Sequence, residues 1–246
     1  MVSHRSAEPL PAAHGRTPGG GQCLLPRGVV LHPHRPRPRP SPALATRPGQ
    51  PSPGGHPAGV TLPRTPGAPD LPAADEEAAL LTGSFPRARL LHGPAATREH
   101  LMTALPDHDI VHVACHAGHD AGRHHEGHLV LHDGRLHIGD IAAARTDRAG
   151  LAFLSACGTA RNRLDLPDES VNLLSAFQLA GFSHLVGSLW QVTDQANTRL
   201  VSAFYDHLTT HQQATVADSL HHAMSRLRER EPERPSLWTS HLHIGP

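Results

Sequence analysis

Two side chains in this sequence could do nucleophilic chemistry together. His116 and Cys157 lie 41 residues apart, and each follows a short apolar run. Ile110-Val111-His112-Val113-Ala114-Cys115 leads into His116, and Leu151-Ala152-Phe153-Leu154-Ser155-Ala156 leads into Cys157. A thiolate is a strong nucleophile, and an imidazole takes up and returns protons near neutral pH. Apolar runs this short, bounded by glycine and polar residues, read as buried strands of a parallel sheet. Open α/β sheets collect their chemistry at the carboxyl ends of such strands. The expectation is a histidine and a cysteine on neighbouring loops at one sheet edge, the layout of a cysteine-nucleophile hydrolase.

The elements needed to position the pair follow along the chain. Residues 1–72 hold 17 of the 24 prolines, with Arg/Pro/His-rich stretches such as 32–40 that cannot pack a core. Proline fixes φ and removes an amide donor, so residues 1–59 are expected to be a disordered, low-complexity segment. An arm of that composition could serve as an interaction tail, or it could be the product of a frameshifted or misannotated gene start. The folded domain is expected over 60–246. Helices are expected over 73–82 (started at Asp70 and Pro72, stopped at Gly83), 95–105, 139–145, 170–180 (stopped at Gly181), 194–208 (capped by Asp194) and 215–230. Strands are expected over 88–91, 110–115, 151–156 and 184–190, with a hairpin of 129–131 and 136–138 around Asp133-Gly134. Strands alternating with helices over about 170 residues mean an α/β fold with a mostly parallel sheet.

Bulk properties narrow the function. Formal net charge is zero and 38% of the 246 residues are apolar, which argues against nucleic acid and membrane partners. There is no apolar run of about 18 residues and no signal-peptide core. Cys23, Cys115 and Cys157 are odd in number and widely spaced, which suits a reducing cytoplasm better than a disulfide framework. All 22 basic residues are arginine and 23 residues are histidine, a vocabulary expected of a GC-rich bacterial genome.

Several blocks, taken in order, resemble the CHAT domain family of caspase-like peptidase modules, relatives of the caspases and separase. They are His112-Val113-Ala114-Cys115-His116-Ala117-Gly118, Leu129-Val130-Leu131-His132-Asp133-Gly134 and Leu154-Ser155-Ala156-Cys157-Gly158-Thr159-Ala160. Asp168-Glu169-Ser170, Ala180-Gly181-Phe182, the run from Val186 to Asp194, Phe204-Tyr205, Trp238 and His243-Ile244-Gly245 continue the pattern. The resemblance spans about residues 60–246 and implies a caspase-like three-layer α/β/α sandwich, with the domain's first strands expected to be missing. It also implies a catalytic dyad of Cys157 and His116, the thiolate attacking a peptide carbonyl and the histidine protonating the leaving amine. Backbone amides of Ala117, Gly118 and Gly158 would face the oxyanion, an arrangement worth about 3 kcal/mol. Many relatives have glycine directly after the histidine, where this chain has Ala117. Family members often sit beside repeat domains, so the implied partners are a protein or peptide substrate and a regulatory chain such as a repeat protein. No cofactor is implied.

Asp120, Asp133, Asp168 and Glu169 are candidate pocket acids that would favour a basic residue at the cleaved bond. Asp168 and Glu169 also stand where an acid stabilises a helix start without any substrate. Cys115 reads as a buried structural thiol. The histidines at 112, 116, 119, 124, 125, 128 and 132 invite a metal, yet no cysteine or carboxylate falls at structural zinc spacing, so no metal is expected. Trp190 and Trp238 read as packing residues. Two functions therefore remain, a cysteine endopeptidase and a catalytically inactive CHAT-type interaction or signalling module.

Overall fold

The computed structural model describes residues 56–119, 127–146, 150–155, 168–190 and 192–246. In chain order the elements are β1 (Pro57–Thr61), α1 (Ala73–Ser84), β2 (Arg89–His92), α2 (Arg98–Ala104), β3 (Ile110–Ala114), β4 (His116–His119), β5 (Gly127–Leu131) and β6 (Gly134–His137). There follow α3 (Ile138–Ala143), β7 (Leu151–Leu154), α4 (Asp168–Ala180), β8 (His184–Ser188), α5 (Asp194–Thr210), α6 (Val216–Arg230), α7 (Pro235–Trp238) and β9 (His241–Ile244).

Six strands form one sheet in the order β2-β1-β3-β7-β8-β9, every pair parallel except β8 with β9. Every residue of β1, β3, β7 and β8 is buried. This explains why these strands are continuous apolar runs rather than alternating ones: helices cover both faces. Val111, Val113, Ala152, Leu154 and Leu185 point into a core shared with α2, α3 and α4. Ile110, Leu151, Phe153 and Val186 point the other way, into a core shared with α1, α5 and α6. The result is a three-layer α/β/α sandwich around a mostly parallel sheet.

Local chemistry sets most element ends. Thr215 and Asp218 exchange side-chain and backbone hydrogen bonds in a capping box at the start of α6. Gly181 ends α4 at φ 116°, and a Cβ there would lie 2.6 Å from the Thr146 carbonyl oxygen, so only glycine fits. Gly134, at φ 127°, makes the β5–β6 turn. Several boundaries differ from expectation. β1 starts at Pro57, inside the segment expected to be disordered; proline is tolerated as a first strand residue because its missing amide is not needed there. Helix α1 runs through Gly83 and stops only when Phe85 turns extended and enters the second core. Thr193, not Asp194, occupies the cap position of α5, and Asp194 lies in its first turn. The antiparallel edge strand β9 was not anticipated. Neither was β4, which pairs with β5 in a separate three-stranded sheet of order β4-β5-β6.

Histidine burial makes this fold acid-sensitive. His241 is fully buried on β9, which pushes its pKa down to about 4. The His184 and His243 rings stack at 5.3 Å, and burial lowers both pKa values, with His243 lowering His184 further. In the unfolded chain these imidazoles take up protons near pH 6.5, so the unfolded state binds more protons below that pH. Their stabilisation is complete above about pH 6.5 and disappears progressively as pH falls toward 4, with His241 alone contributing about 3 kcal/mol. Urea unfolding at a series of pH values should show this loss, and His241→Leu should flatten it.

Candidate active site

The order of the sheet places the site. The chain runs from β1 outward to β2, then crosses back to β3 on the other side of β1. At such a reversal the loops leaving two neighbouring strands turn apart and open a crevice at their carboxyl ends. The loop after β1 and the segment after β3 flank that crevice, and β7 lies beside β3.

His116 sits there. Its ring is 5% exposed, and Nε2 donates to the carbonyl oxygen of Pro69, in the loop after β1, at 2.7 Å. A carbonyl can only accept, so this contact assigns the proton of the neutral ring to Nε2 and leaves the lone pair on Nδ1. A histidine held in this way can take a proton at Nδ1 and return it, with the Pro69 carbonyl dipole supporting the imidazolium. His116 does not stand on a loop as the apolar pattern suggested. Cys115 makes a bend and His116 opens β4, opposite Val130 of β5. The turn away from the main sheet brings the ring over the crevice. Ala117 and Gly118 continue β4 opposite Leu129 and His128. Because the backbone is extended there, alanine at 117 brings no strain.

The remaining candidates divide clearly. Cys157, Gly158 and Asp120 lie outside the described residues, as do Cys23, His124 and His125. Asp168 and Glu169 are the first two residues of α4, the helix-start position considered for them. Asp133 is engaged with Arg98. Its Oδ1 accepts from the Arg98 backbone N–H at 2.9 Å and its Oδ2 from Arg98 Nε at 3.3 Å, which ties the β5–β6 turn to the start of α2. Burial is the largest single influence and raises its pKa, but the Arg98 hydrogen bonds and charge, with the residue's own backbone N–H, together outweigh it and lower the pKa from its ordinary value. Trp190 follows β8 at the same sheet edge, 42% exposed, with Nε1 donating to the Ser236 carbonyl. Trp238 packs against the second core. Among the described residues no three histidine, cysteine or acidic side chains converge as a metal site.

Sequence reasoning missed the polar cluster beneath this edge. Glu77 of α1 is 1% exposed, and its Oε2 accepts from His112 Nε2 at 2.6 Å. Its Oε1 accepts from Ser155 Oγ and from Asn197 Nδ2, each at 2.8 Å. Asn197 Nδ2 also reaches Ser155 Oγ at 2.7 Å, and Tyr205 OH meets His112 Nδ1 at 3.0 Å. Burial first, and then the Glu77 carboxylate, push the Tyr205 pKa well above 10, so the phenol keeps its proton and donates to Nδ1. With His112 protonated on Nε2, every polar hydrogen among these contacts has an acceptor. One local signal was available: Glu77 lies four residues from both Ala73 and Leu81, on the buried face of α1.

Comparison with known proteins follows this geometry. The family model described as the CHAT domain matches residues 13–246. The crystal structure of the Arg-specific cysteine proteinase gingipain R is similar with a TM-score of 0.52 and 12% identity, over 77% of this chain and 45% of that one. A complex of the Porphyromonas gingivalis RgpB pro- and mature domains is similar with a TM-score of 0.51 and 12% identity, over 77% of this chain and 47% of that one. The separase–securin complex of Saccharomyces cerevisiae gives a TM-score of 0.48 and 14% identity, over 78% of this chain and 12% of that one. The chain thus spans less than half the length of the gingipain chains it matches. No curated protein matches the sequence.

One thiol can be assigned from its surroundings. Cys115 is 1% exposed, and burial pushes its pKa up to about 12. It should therefore resist iodoacetamide at pH 8 in the folded protein and react once the chain is unfolded in urea, as read by peptide mass spectrometry.

Proposed function

The chain belongs to the CHAT domain family, and from that premise we propose that it is a caspase-like cysteine endopeptidase using Cys157 and His116. The single observation that carries the reading is His116 itself, held by Pro69 at the switch-point crevice with Nδ1 as its basic atom. In the proposed reaction the Cys157 thiolate attacks a peptide carbonyl carbon, forming a C–S bond and a tetrahedral oxyanion. Backbone amides at Ala117, Gly118 and Gly158 are the proposed donors to that oxygen. Collapse breaks the C–N bond while His116 gives its proton to the leaving amine. Water then cleaves the thioester, with His116 accepting a proton from it. The caspase-like fold and the cysteine proteinases among the similar structures support this chemistry at the level of the fold.

Partner-gated activity in a reducing cytoplasm completes the proposal. Family members work beside repeat domains, and among the described residues no helix is long and apolar enough to cross a membrane. The test is alkylation at about pH 6, where an ordinary cysteine with pKa about 8.5 hardly reacts. Cys157 should label much faster than Cys23, and His116→Ala should slow it at least about tenfold while circular dichroism stays unchanged. Slow, uniform labelling in folded protein would mean that the dyad is not assembled in the isolated chain, and the inactive interaction module would then be tested against activation by a partner.

A further inference from the structure

The Glu77 cluster joins the segments that lead to the candidate residues: Ser155 stands just before Cys157 in the chain, and His112 lies on the strand that runs toward His116. Ser155 is the first residue past β7 and precedes Cys157 by two positions. Its backbone N–H donates to the Val113 carbonyl at 2.8 Å, and its Oγ donates to Glu77 at 2.8 Å. Chain and side chain are therefore pinned together at the point where the backbone leaves the sheet. His112, the second partner, lies on β3 four residues before His116. Helix α1, which carries Glu77, is the helix entered from the loop whose Pro69 carbonyl receives the His116 proton. Asn197 and Tyr205 attach α5 to the same group. A single carboxylate thus ties the strand ahead of the nucleophile, the strand ahead of the base and the helix behind the base's orienting loop.

The geometry points to Glu77 as a positioning residue for the Cys157–His116 pair, acting through Ser155 on β7 and His112 on β3; this rests on the endopeptidase reading of that pair. Charge alone could not produce the same effect. A buried anion near a developing thiolate disfavours that thiolate, so an electrostatic contribution from Glu77 would raise the Cys157 midpoint. Positioning works in the opposite direction, because a thiolate is stabilised only while its imidazolium partner is in place. A merely structural role predicts a third result, loss of thermal stability with the thiol midpoint unchanged.

The experiment follows Cys157 alkylation by iodoacetamide as a function of pH in the full chain, read by peptide mass spectrometry, with thermal melting recorded in parallel. Glu77→Gln keeps the shape but presents an amide N–H₂ where an oxygen accepted, so the ring of contacts cannot close. Ser155→Ala removes the Oγ contacts to Glu77 and Asn197 and changes no charge, and it keeps the test decisive if Glu77→Gln does not fold. Both variants should move the Cys157 midpoint up toward that of an ordinary thiol and slow labelling at pH 6 by about tenfold or more. An unchanged or lowered midpoint in folded variants, against a fast wild type, overturns the positioning role and leaves the endopeptidase reading standing. A wild-type Cys157 that labels no faster than Cys23 shows that the pair is not assembled in the chain alone, and overturns the positioning role there.

Discussion

A carboxylate buried in an apolar layer must collect donors or give up its charge, and Glu77 collects His112, Ser155 and Asn197. These partners come from two strands and a helix separated from Glu77 by 35 to 120 residues in the chain. The interaction is therefore satisfied only when α1, β3, the end of β7 and α5 have all reached their native places. A net hydrogen bond often adds little stability, but leaving a buried polar or charged group without its partner is costly. That asymmetry penalises any arrangement in which one of these elements is shifted, so the cluster acts on specificity of packing more than on its total strength.

The sheet supplies the frame on which that constraint operates. Parallel strands buried on both faces leave only their ends for polar chemistry, and the reversal between β1 and β3 opens a crevice at one of those ends. His116 reaches it because the chain bends at Cys115 and enters a second, smaller sheet. The fold thus separates two tasks. A rigid apolar sandwich sets the strand ends, and a short antiparallel sheet with a proline-bearing loop orients the imidazole. The family model matches this chain in sequence, whereas the likeness to gingipain structures, at 12% identity, is one of scaffold.

Much of this was legible in the linear sequence. The runs 110–115 and 151–156 read as buried strands because both their faces are covered, and Gly181 and Thr215 marked helix ends through φ and capping chemistry that act within a few residues. Where expectation slipped, a longer-range effect had won. Gly83 did not stop α1 because burial of Phe85 sets the end of that helix. Pro57 did not prevent a strand because its neighbours β2 and β3 pair around it. Asp133 also pairs with Arg98 across 35 residues, a contact that no local pattern announces.

What the sequence by itself determined was the alternation of elements, the mostly parallel sheet and the family motifs, among them the blocks that carry His116 and Cys157. These depend on residue type and short spacing, which are local properties of the chain. The tertiary structure alone decided that His116 lies on a strand and rests on the Pro69 carbonyl, and that Glu77, His112, Ser155, Asn197 and Tyr205 share one buried cluster. A hydrogen bond between residues dozens of positions apart leaves no period and no motif, because it is fixed by how whole layers pack and not by any neighbour along the chain.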